Sequence, residues 1–385
     1  MIKKAEIQYP YYEKGDRFLL LFVSSYYIFQ ALNYLFFSVQ KDGRAWDILS
    51  ISTLGFISLI AWYVILKRNA VWAIVTEVFV CFSLLYTILF DKPPSNFVSI
   101  AYHLVLVYIP MGLAVLSVKN DVLIVRTLYF CAWPIEAICI CSSFLVSSSD
   151  YSMSLGYYLL LPLLIRLDRF LISYKWYDLV IAAVDFIVIL FVASRGPLLC
   201  LLAFILLRVA FSNTLSSIKK ILLSVVTLVG IILIYENYVN IAIVALNLLD
   251  KLGRKSRTLN LLLAGSIQYD AGRTRIFSQY WELIEQSPAI GHGLAGSWVI
   301  STYPHNIAVE ILLAYGIPVG LAILAVILYA VILGLRKQSP EGRRVALIFI
   351  AELVSLLWSG SFIMSSTFFV CMAACVRKDN VHNNL

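Results

Sequence analysis

The sequence predicts an all-α polytopic membrane protein with about twelve transmembrane helices and one large loop on the outer side of the membrane. Of its 385 residues, 61% are hydrophobic and only 14% are charged, and the mean hydropathy is +0.87. A compact soluble domain needs a polar surface, which this composition does not supply. Apolar runs of about 20 residues recur along the chain, and this is the length that a helix needs to cross a bilayer.

The apolar runs define the helices in chain order, after a polar tail at 1–16 that is too long to be a cleaved signal peptide. The nine spans predicted within 17–235 are 17–38, 48–66, 70–90, 97–117, 122–147, 152–170, 177–193, 197–212 and 218–235. A polar stretch follows at 236–303, and a helix begins near His305 in the region 304–376. A span at about 316–335 and an apolar block at 344–376 come next, before a second tail at 377–385. The block is long enough for two crossings if "WSGS" forms a turn in its middle.

Lysine and arginine residues orient these spans, because short cytoplasmic loops carry an excess of them. The cations predicted to share the inner side are Lys3, Lys4, Lys14, Arg17, Lys67, Arg68, Lys119, Arg126, Arg166, Arg169, Lys175, Arg208, Lys219, Lys220, Arg336, Lys337, Arg343, Arg344, Arg377 and Lys378. The opposite short loops hold only Lys41, Arg44, Lys92 and Arg195. We therefore expect both tails in the cytoplasm and the loop 236–303 outside. Its segments "IAIVALNLL" and "IFSQYWELIEQ" have helical apolar spacing, which predicts an amphipathic cap on the membrane.

Composition also excludes several kinds of partner. The net charge is +8, yet no basic, aromatic-interleaved soluble domain exists that would bind nucleic acid. The seven cysteines all fall within apolar runs and lack metal-ligand spacing, so we interpret them as small buried side chains. The sequence indicates no metal and no cofactor, and it contains no Walker loop, no Asp-x-Asp pair and no Gly-x-Ser-x-Gly.

Two arginine-bearing segments stand out on the predicted outer side. In "ASRGP", Arg195 lies in a tight break between two spans, and "DKLGRKSR" carries Arg254 and Arg257. An interfacial arginine can simply extend to lipid headgroups, and a run of charges is commonly solvated or touches anionic lipid. Both interpretations stay open at this point.

A third segment combines arginine with glycine. Arg273 and Arg275 open a helix-like segment that ends at Pro288 and is followed by Gly291-His-Gly293. The guanidinium group suits bidentate binding of a phosphate. A Gly-x-Gly pair is weak evidence by itself and is also typical of a flexible connector, in which the central histidine would be a surface residue.

The fourth segment is "YPHNIAVEILLAYGIP", which begins at Tyr303. Polar and ionisable groups at a membrane boundary are costly, so His305, Asn306 and Glu310 each need a reason to be there. His305 follows a proline and precedes a helix, where free backbone donors face outward. The alternative interpretation is an interfacial histidine with a satisfied hydrogen bond beside Asn306 as a helix cap. Together, the outer arginines and one imidazole would suit a site that holds a pyrophosphate and activates a hydroxyl.

The ordered set of motifs resembles the O-antigen ligase and polymerase family of bacterial envelopes. The motifs that carry the resemblance are Ser194-Arg195-Gly196 after a span, Gly272-Arg273 followed by Pro288 and Gly291-x-Gly293, Pro304-His305-Asn306, and Gly316-Ile317-Pro318. The likeness covers about 190–335, and the earlier spans match only in hydropathy. The family pattern often has tryptophan where this chain has Phe277, a departure that concerns packing.

The resemblance implies a membrane glycosyltransferase of the bacterial inner membrane, with about twelve helices and its active site on the periplasmic side. Arg195, Arg273 and His305 would act in catalysis. The residues that we expect to contact substrate around them are Arg275, Asn306, Gly291, Gly293, Arg254 and Arg257. The expected partners are an oligosaccharide linked to undecaprenyl pyrophosphate, the lipid bilayer and a chain-length regulator.

Three functions remain in view. The first is a polymerase that transfers a growing glycan from undecaprenyl pyrophosphate to an incoming lipid-linked repeat unit. The second is an O-antigen ligase, which would pass the same glycan to lipid A-core. A lipid-linked oligosaccharide flippase, from a different class, should show repeat symmetry and ionisable groups inside its helices. No repeat is evident, but Glu77, Glu136, Asp185 and Glu352 do lie within apolar runs.

Overall fold

A computed structural model describes residues 14–39, 44–90, 93–145, 153–192, 195–211, 216–251, 260, 263, 273–296 and 303–378. Within these residues the regular secondary structure is helical and no strand occurs. The all-α fold class is therefore confirmed for the part of the chain that is described.

The helices follow the hydropathy pattern closely. They are α1 Lys14–Val39, α2 Arg44–Phe90, α3 Phe97–His103, α4 Ile109–Ser117, α5 Asp121–Leu145, α6 Met153–Ser173, α7 Trp176–Val192, α8 Arg195–Ala210, α9 Ser217–Lys251, α10 Arg273–Gln286, α11 Ile307–Leu335, α12 Pro340–Trp358 and α13 Ser366–Val376. A π-helical segment, Leu104–Tyr108, joins α3 and α4. Helix α9 continues past residue 235 to Lys251, so the predicted outer loop begins inside this helix.

Five helical stretches among the described residues are long and apolar enough to cross a membrane. They are Lys14–Phe36, Leu49–Phe90, Phe97–Ser117, Asp121–Ser143 and Ile307–Leu335. By the length and composition of these helices, the chain is a membrane protein. The 42-residue stretch in α2 would extend about 63 Å at 1.5 Å per residue, roughly twice the thickness of the hydrocarbon core.

The long helix α2 is divided by a kink. Asn69 has a non-helical backbone (φ −141°, ψ 45°), and its side-chain amide donates a 2.8 Å hydrogen bond to Ser117 Oγ. The kink coincides with the boundary that the sequence predicts between the spans 48–66 and 70–90. Large apolar side chains beyond it are exposed, including Trp72, Phe82 and Phe90, as expected for a helix that faces lipid.

Most cations predicted to share one side of the membrane, where their contacts are described, lie on one face of the helical bundle. On this cationic face Arg68 pairs with Asp16, and the Lys119 amide donates to the same carboxylate. Asp121, at the start of α5, pairs with both Lys337 and Arg377. Arg208 and Arg344 both pair with Asp168. These pairs join residues of α1, α2, α5, α6, α8 and α12 with residues just after α11 and α13.

The buried core lies between the helices and is mostly aliphatic and aromatic, with a minority of buried polar and charged side chains. Leu19, Phe22, Met111 and Phe349 are fully buried. Of the cysteines, Cys131, Cys139, Cys200, Cys371 and Cys375 are buried, as predicted, whereas Cys81 and Cys141 are exposed. The turn predicted in the final apolar block is also present, because α12 ends at Trp358 and α13 begins at Ser366.

Candidate functional site

The face opposite the cationic face is built around a break in α11. Gly316 has a left-handed backbone (φ 72°) inside this helix, and Pro318 follows it. A proline has no N–H to donate to the carbonyl four residues earlier. The break therefore releases the carbonyls of Leu313 and Ala314 and the N–H of Ile317, which an unbroken helix would pair.

The segment 288–294 supplies the missing partners. The backbone N–H of His292 donates to Leu313 O at 2.8 Å, and that of Gly293 donates to Ala314 O at 2.8 Å. In return, the Ile317 N–H donates to Pro288 O at 2.7 Å. Non-helical backbone at membrane depth requires such substitutes, since no water is present to satisfy the released groups. We call this set of contacts the junction.

The two glycines of Gly291-x-Gly293 are required by the junction. Both have a left-handed backbone, with φ of 76° and 80°. A Cβ at Gly291 would lie 2.4 Å from Gly316 N, and one at Gly293 would lie 2.2 Å from Thr87 Oγ1. Thr87 also donates a 2.7 Å hydrogen bond to Leu294 O, which ties the junction to α2. The substrate-binding role of these glycines stays a prediction, and their role in packing is plain.

We expect Gly293→Ala to lower the free energy of unfolding by about 2 kcal/mol. The left-handed conformation alone costs an L-residue about 1–2 kcal/mol, and the contact with α2 adds crowding. Thermal unfolding of the detergent-purified protein measures the effect. Gly230→Ala is the matched control, because no neighbouring atom lies within 4 Å of its Cβ position. Equal melting temperatures for the two variants would contradict this account.

His305 lies directly before the broken helix. Its backbone is left-handed (φ 55°), and its ring centroid is 4.2 Å from that of Tyr303. The residue is half-buried, and its imidazole packs against the Tyr303 ring. A left-handed non-glycine residue is uncommon and is often found at functional sites.

Asn306 and Glu310 fix the beginning of α11. Asn306 Oδ1 accepts hydrogen bonds from the N–H groups of Ala308 and Val309, at 2.9 and 3.2 Å, which makes it the helix cap. Its Nδ2 donates to Leu357 O at 3.3 Å, at the end of α12. The cap interpretation of Asn306 is therefore confirmed, and its contact with substrate stays a prediction.

The Glu310 carboxylate ties α11 to the turn between α12 and α13. It is 2% exposed and accepts hydrogen bonds from Ser361 Oγ and from the Phe362 N–H. Sequence reasoning singled out Glu310 as unexplained but did not place it in the site. The signal was available, since a carboxylate in the first turn of an apolar helix must have buried donors.

Helix α10 packs on the first half of α11. Tyr280 and Ile284 form a small buried cluster with Leu313, and His292 Nε2 lies 2.9 Å from Leu283 O. The amphipathic helix predicted from "IFSQYWELIEQ" is thus confirmed. Its position makes α10, the junction and the start of α11 a single unit on the face opposite the cationic face.

Of the five predicted site arginines, Arg275 alone has a described side chain. Arg195 and Arg273 are the first residues of α8 and α10, and their side chains lie outside the described part of the chain. Arg275 is exposed on α10. Arg254 and Arg257 also lie outside the described residues.

The start of α8 is near the start of α11. Helices α8 and α12 pack against each other. Arg208 near the end of α8 shares Asp168 with Arg344 near the start of α12. At the other end of α12, Leu357 accepts the hydrogen bond from Asn306. Arg195 begins α8, at the end away from Arg208. The backbone therefore brings two of the three predicted catalytic residues, Arg195 and His305, to the same end of α12.

The arrangement offers an imidazole held on a rigid helix start, with two arginine-bearing helix starts on the same face or in the same unit. Such a set can bind an anion and take a proton from a hydroxyl. No protein-family model, no curated protein and no solved structure matches this chain.

Proposed function

We propose that this protein is a surface-polysaccharide polymerase, of the O-antigen kind, in the bacterial inner membrane. It would transfer a growing glycan from undecaprenyl pyrophosphate to an incoming lipid-linked repeat unit. The observation that supports the proposal best is that His305 directly precedes a helix whose start is fixed by several contacts, on the face opposite the cations. Asn306, Glu310 and the junction all hold the helix that begins there.

The proposal includes twelve membrane crossings with the loop region on the periplasmic side. The ion pairs that join helix ends on the cationic face support this alternation, and cations are enriched on the cytoplasmic side of membrane proteins. The helices of 16 and 17 residues, α8 and α7, and the 11-residue α13 are short for a crossing. In the proposal, these short helices cross the membrane at places where their packing against neighbouring helices reduces the thickness that each must span.

The proposed reaction is a substitution at the anomeric carbon of the donor glycan. The oxygen of an acceptor hydroxyl forms the new glycosidic bond to that carbon. The bond from the carbon to the pyrophosphate oxygen breaks, and the electron pair leaves with undecaprenyl pyrophosphate. The hydroxyl proton goes to His305. Arg195 and Arg273 would stabilise the charge that develops on the leaving pyrophosphate, an electrostatic contribution that is large in a site of low dielectric constant.

Reconstitution tests the proposal directly. Purified protein in liposomes, supplied with lipid-linked repeat units, should produce a ladder of lengthened glycans. Arg273→Lys keeps the positive charge but loses the planar guanidinium fork, so we expect the glycans to lengthen at least tenfold more slowly. Arg336→Lys makes the same change at an exposed arginine on the opposite, cationic face and is the control. Absence of any ladder with several donor glycans would overturn the proposal, and transfer only to added lipid A-core would indicate the ligase.

A lipid-linked oligosaccharide flippase is the second candidate, because α7 carries an unusual carboxylate. Asp185 is fully buried, and neither of its oxygens has a hydrogen-bond partner. Intramembrane ionisable groups often belong to proton relays in transporters. The same liposomes distinguish the two functions, since a flippase would make a fluorescent lipid-linked sugar accessible on the other leaflet without lengthening any glycan.

A further inference from the structure

A pocket of about 310 Å³ lies between α5, α6 and α12. It is on the cationic face, away from the motifs of the candidate site. Three of its lining residues are arginines, Arg126, Arg169 and Arg344. Its walls are apolar and include Leu128 and Ile348. Pockets of this kind between the cytoplasmic ends of helices are a recurrent setting for anionic lipid headgroups.

The charge in the pocket is positive. Among the lining residues that the structure describes, the three arginines face one carboxylate, that of Asp168. Asp168 is already bound by Arg208 at 2.6 Å, and its other oxygen is 3.5 Å from Arg344 Nε. Arg208 therefore shares the Asp168 carboxylate with Arg344, and the described lining residues carry three cations and one carboxylate.

Arg169 and Arg344 have more N–H donors than their described ion pairs use. Arg169 lies over the Tyr129 ring at 3.6 Å and its Nε is 3.4 Å from Asp178. Arg344 Nη2 is 3.5 Å from Glu341. These ion pairs are longer than a good N–H···O hydrogen bond, and a guanidinium carries five N–H groups. A phosphodiester could therefore accept from both arginines without breaking their present pairs.

One side of α5 continues the pocket into the membrane. Arg126, Phe130 and Trp133 are spaced by four and then three residues, so they lie along the same side of the helix. Phe130 is 68% exposed and Trp133 is 47% exposed. This apolar track begins at a cation, which is the order of groups along a phospholipid from headgroup to acyl chain.

We propose that the pocket binds an anionic phospholipid, with its phosphate on Arg126, Arg169 and Arg344 and an acyl chain along Phe130. The pocket holds a headgroup but not a whole lipid, so the chains must extend along the exposed track. A soluble phosphate would use the arginines alone and would leave the apolar walls without a partner. The inference does not depend on the proposed function, because the pocket lies on the opposite face.

Native mass spectrometry of the purified full-length protein tests this inference. Phosphatidylglycerol and phosphatidylcholine with the same acyl chains are titrated separately, and we expect at least tenfold tighter binding of phosphatidylglycerol. Arg126→Ala should weaken that binding about tenfold, as loss of one hydrogen bond to a charged group would do. Arg336→Ala is the control, since Arg336 is also exposed on the cationic face but does not line the pocket.

Acyl-chain length and competition by inorganic phosphate distinguish a lipid site from a site for a soluble anion. Phe130→Ala should lower the affinity for long-chain phosphatidylglycerol more than for a short-chain form, because only the former reaches that ring. Equal affinity for the two headgroups, or equal loss in Arg126→Ala and Arg336→Ala, would overturn the proposal. So would full displacement of the lipid by millimolar inorganic phosphate, which would indicate a soluble-anion site. Unchanged melting temperatures establish that the variants are folded.

Discussion

His305→Gln should leave a folded membrane protein that makes only unpolymerised repeat units. General-base catalysis typically contributes 10²–10⁴-fold, which corresponds to about 3–5 kcal/mol of the barrier. Glutamine can donate or accept one hydrogen bond, as histidine does, but it cannot take the proton of the acceptor hydroxyl. The variant therefore removes the group that accepts the proton and keeps a polar side chain at this position. The measurement is the length of surface glycan in a deletion strain that carries the variant gene.

The chain offers a matched control for this substitution. His292→Gln makes the same change on the same face, at a ring whose Nε2 contacts the Leu283 carbonyl. An amide can take over such a contact, so this variant should make glycan of normal length. Both proteins must be present in the membrane at wild-type levels. Normal glycan from His305→Gln would remove this histidine from the catalytic site.

The backbone at His305 calls for a second variant. Its φ of 55° is left-handed, a conformation that asparagine adopts more easily than glutamine does. His305→Asn thus avoids part of the strain while still lacking a base. If both variants lose polymerisation equally, the loss belongs to the imidazole. If His305→Asn is active, the defect of His305→Gln is one of backbone conformation.

Hydropathy and charge predicted much of the fold because the bilayer constrains both strongly. Span lengths follow from the thickness of the membrane, and the positive-inside rule grouped the cations that the structure places on one face of the helical bundle. The kink at Asn69 was implied by the same rule, since Lys67 and Arg68 mark a reversal of the chain. The end of α9 was missed because its apolar pattern continues through "IAIVALNLL" after the interruption at Glu236.

The candidate site was less predictable, because its parts meet through contacts that are distant in the sequence. The pattern indicated a helix start at His305 and a break at Gly316. It could not show that the break is paired with the segment 288–294 or that Glu310 holds the turn at Ser361. Backbone hydrogen bonds carry no side-chain signature, so a Gly-x-Gly required by a close approach resembles one in a flexible loop.

Arg166→Met should strongly destabilise the protein, by about 3–5 kcal/mol, the usual effect of removing one partner from a buried ion pair. Arg166 is fully buried. Its Nε and Nη2 donate to the Glu136 carboxylate at 2.7 and 2.6 Å, and its Nη1 lies 3.1 Å from Asp178. Without the guanidinium, Glu136 would be left as an uncompensated charge among helices within the membrane. Thermal unfolding in detergent and the amount of folded protein in membranes measure the loss.

A double variant distinguishes this charge effect from a loss of packing. Arg166→Met combined with Glu136→Met removes both members of the bidentate pair, and Asp178 keeps Arg169 at 3.4 Å. Replacing a buried ion pair with apolar side chains of similar volume is often neutral or stabilising. The double variant should therefore recover most of the stability that Arg166→Met loses. If the double variant is as unstable as the single one, the guanidinium acts through its stacking on Trp133, 4.0 Å away, and not through its charge.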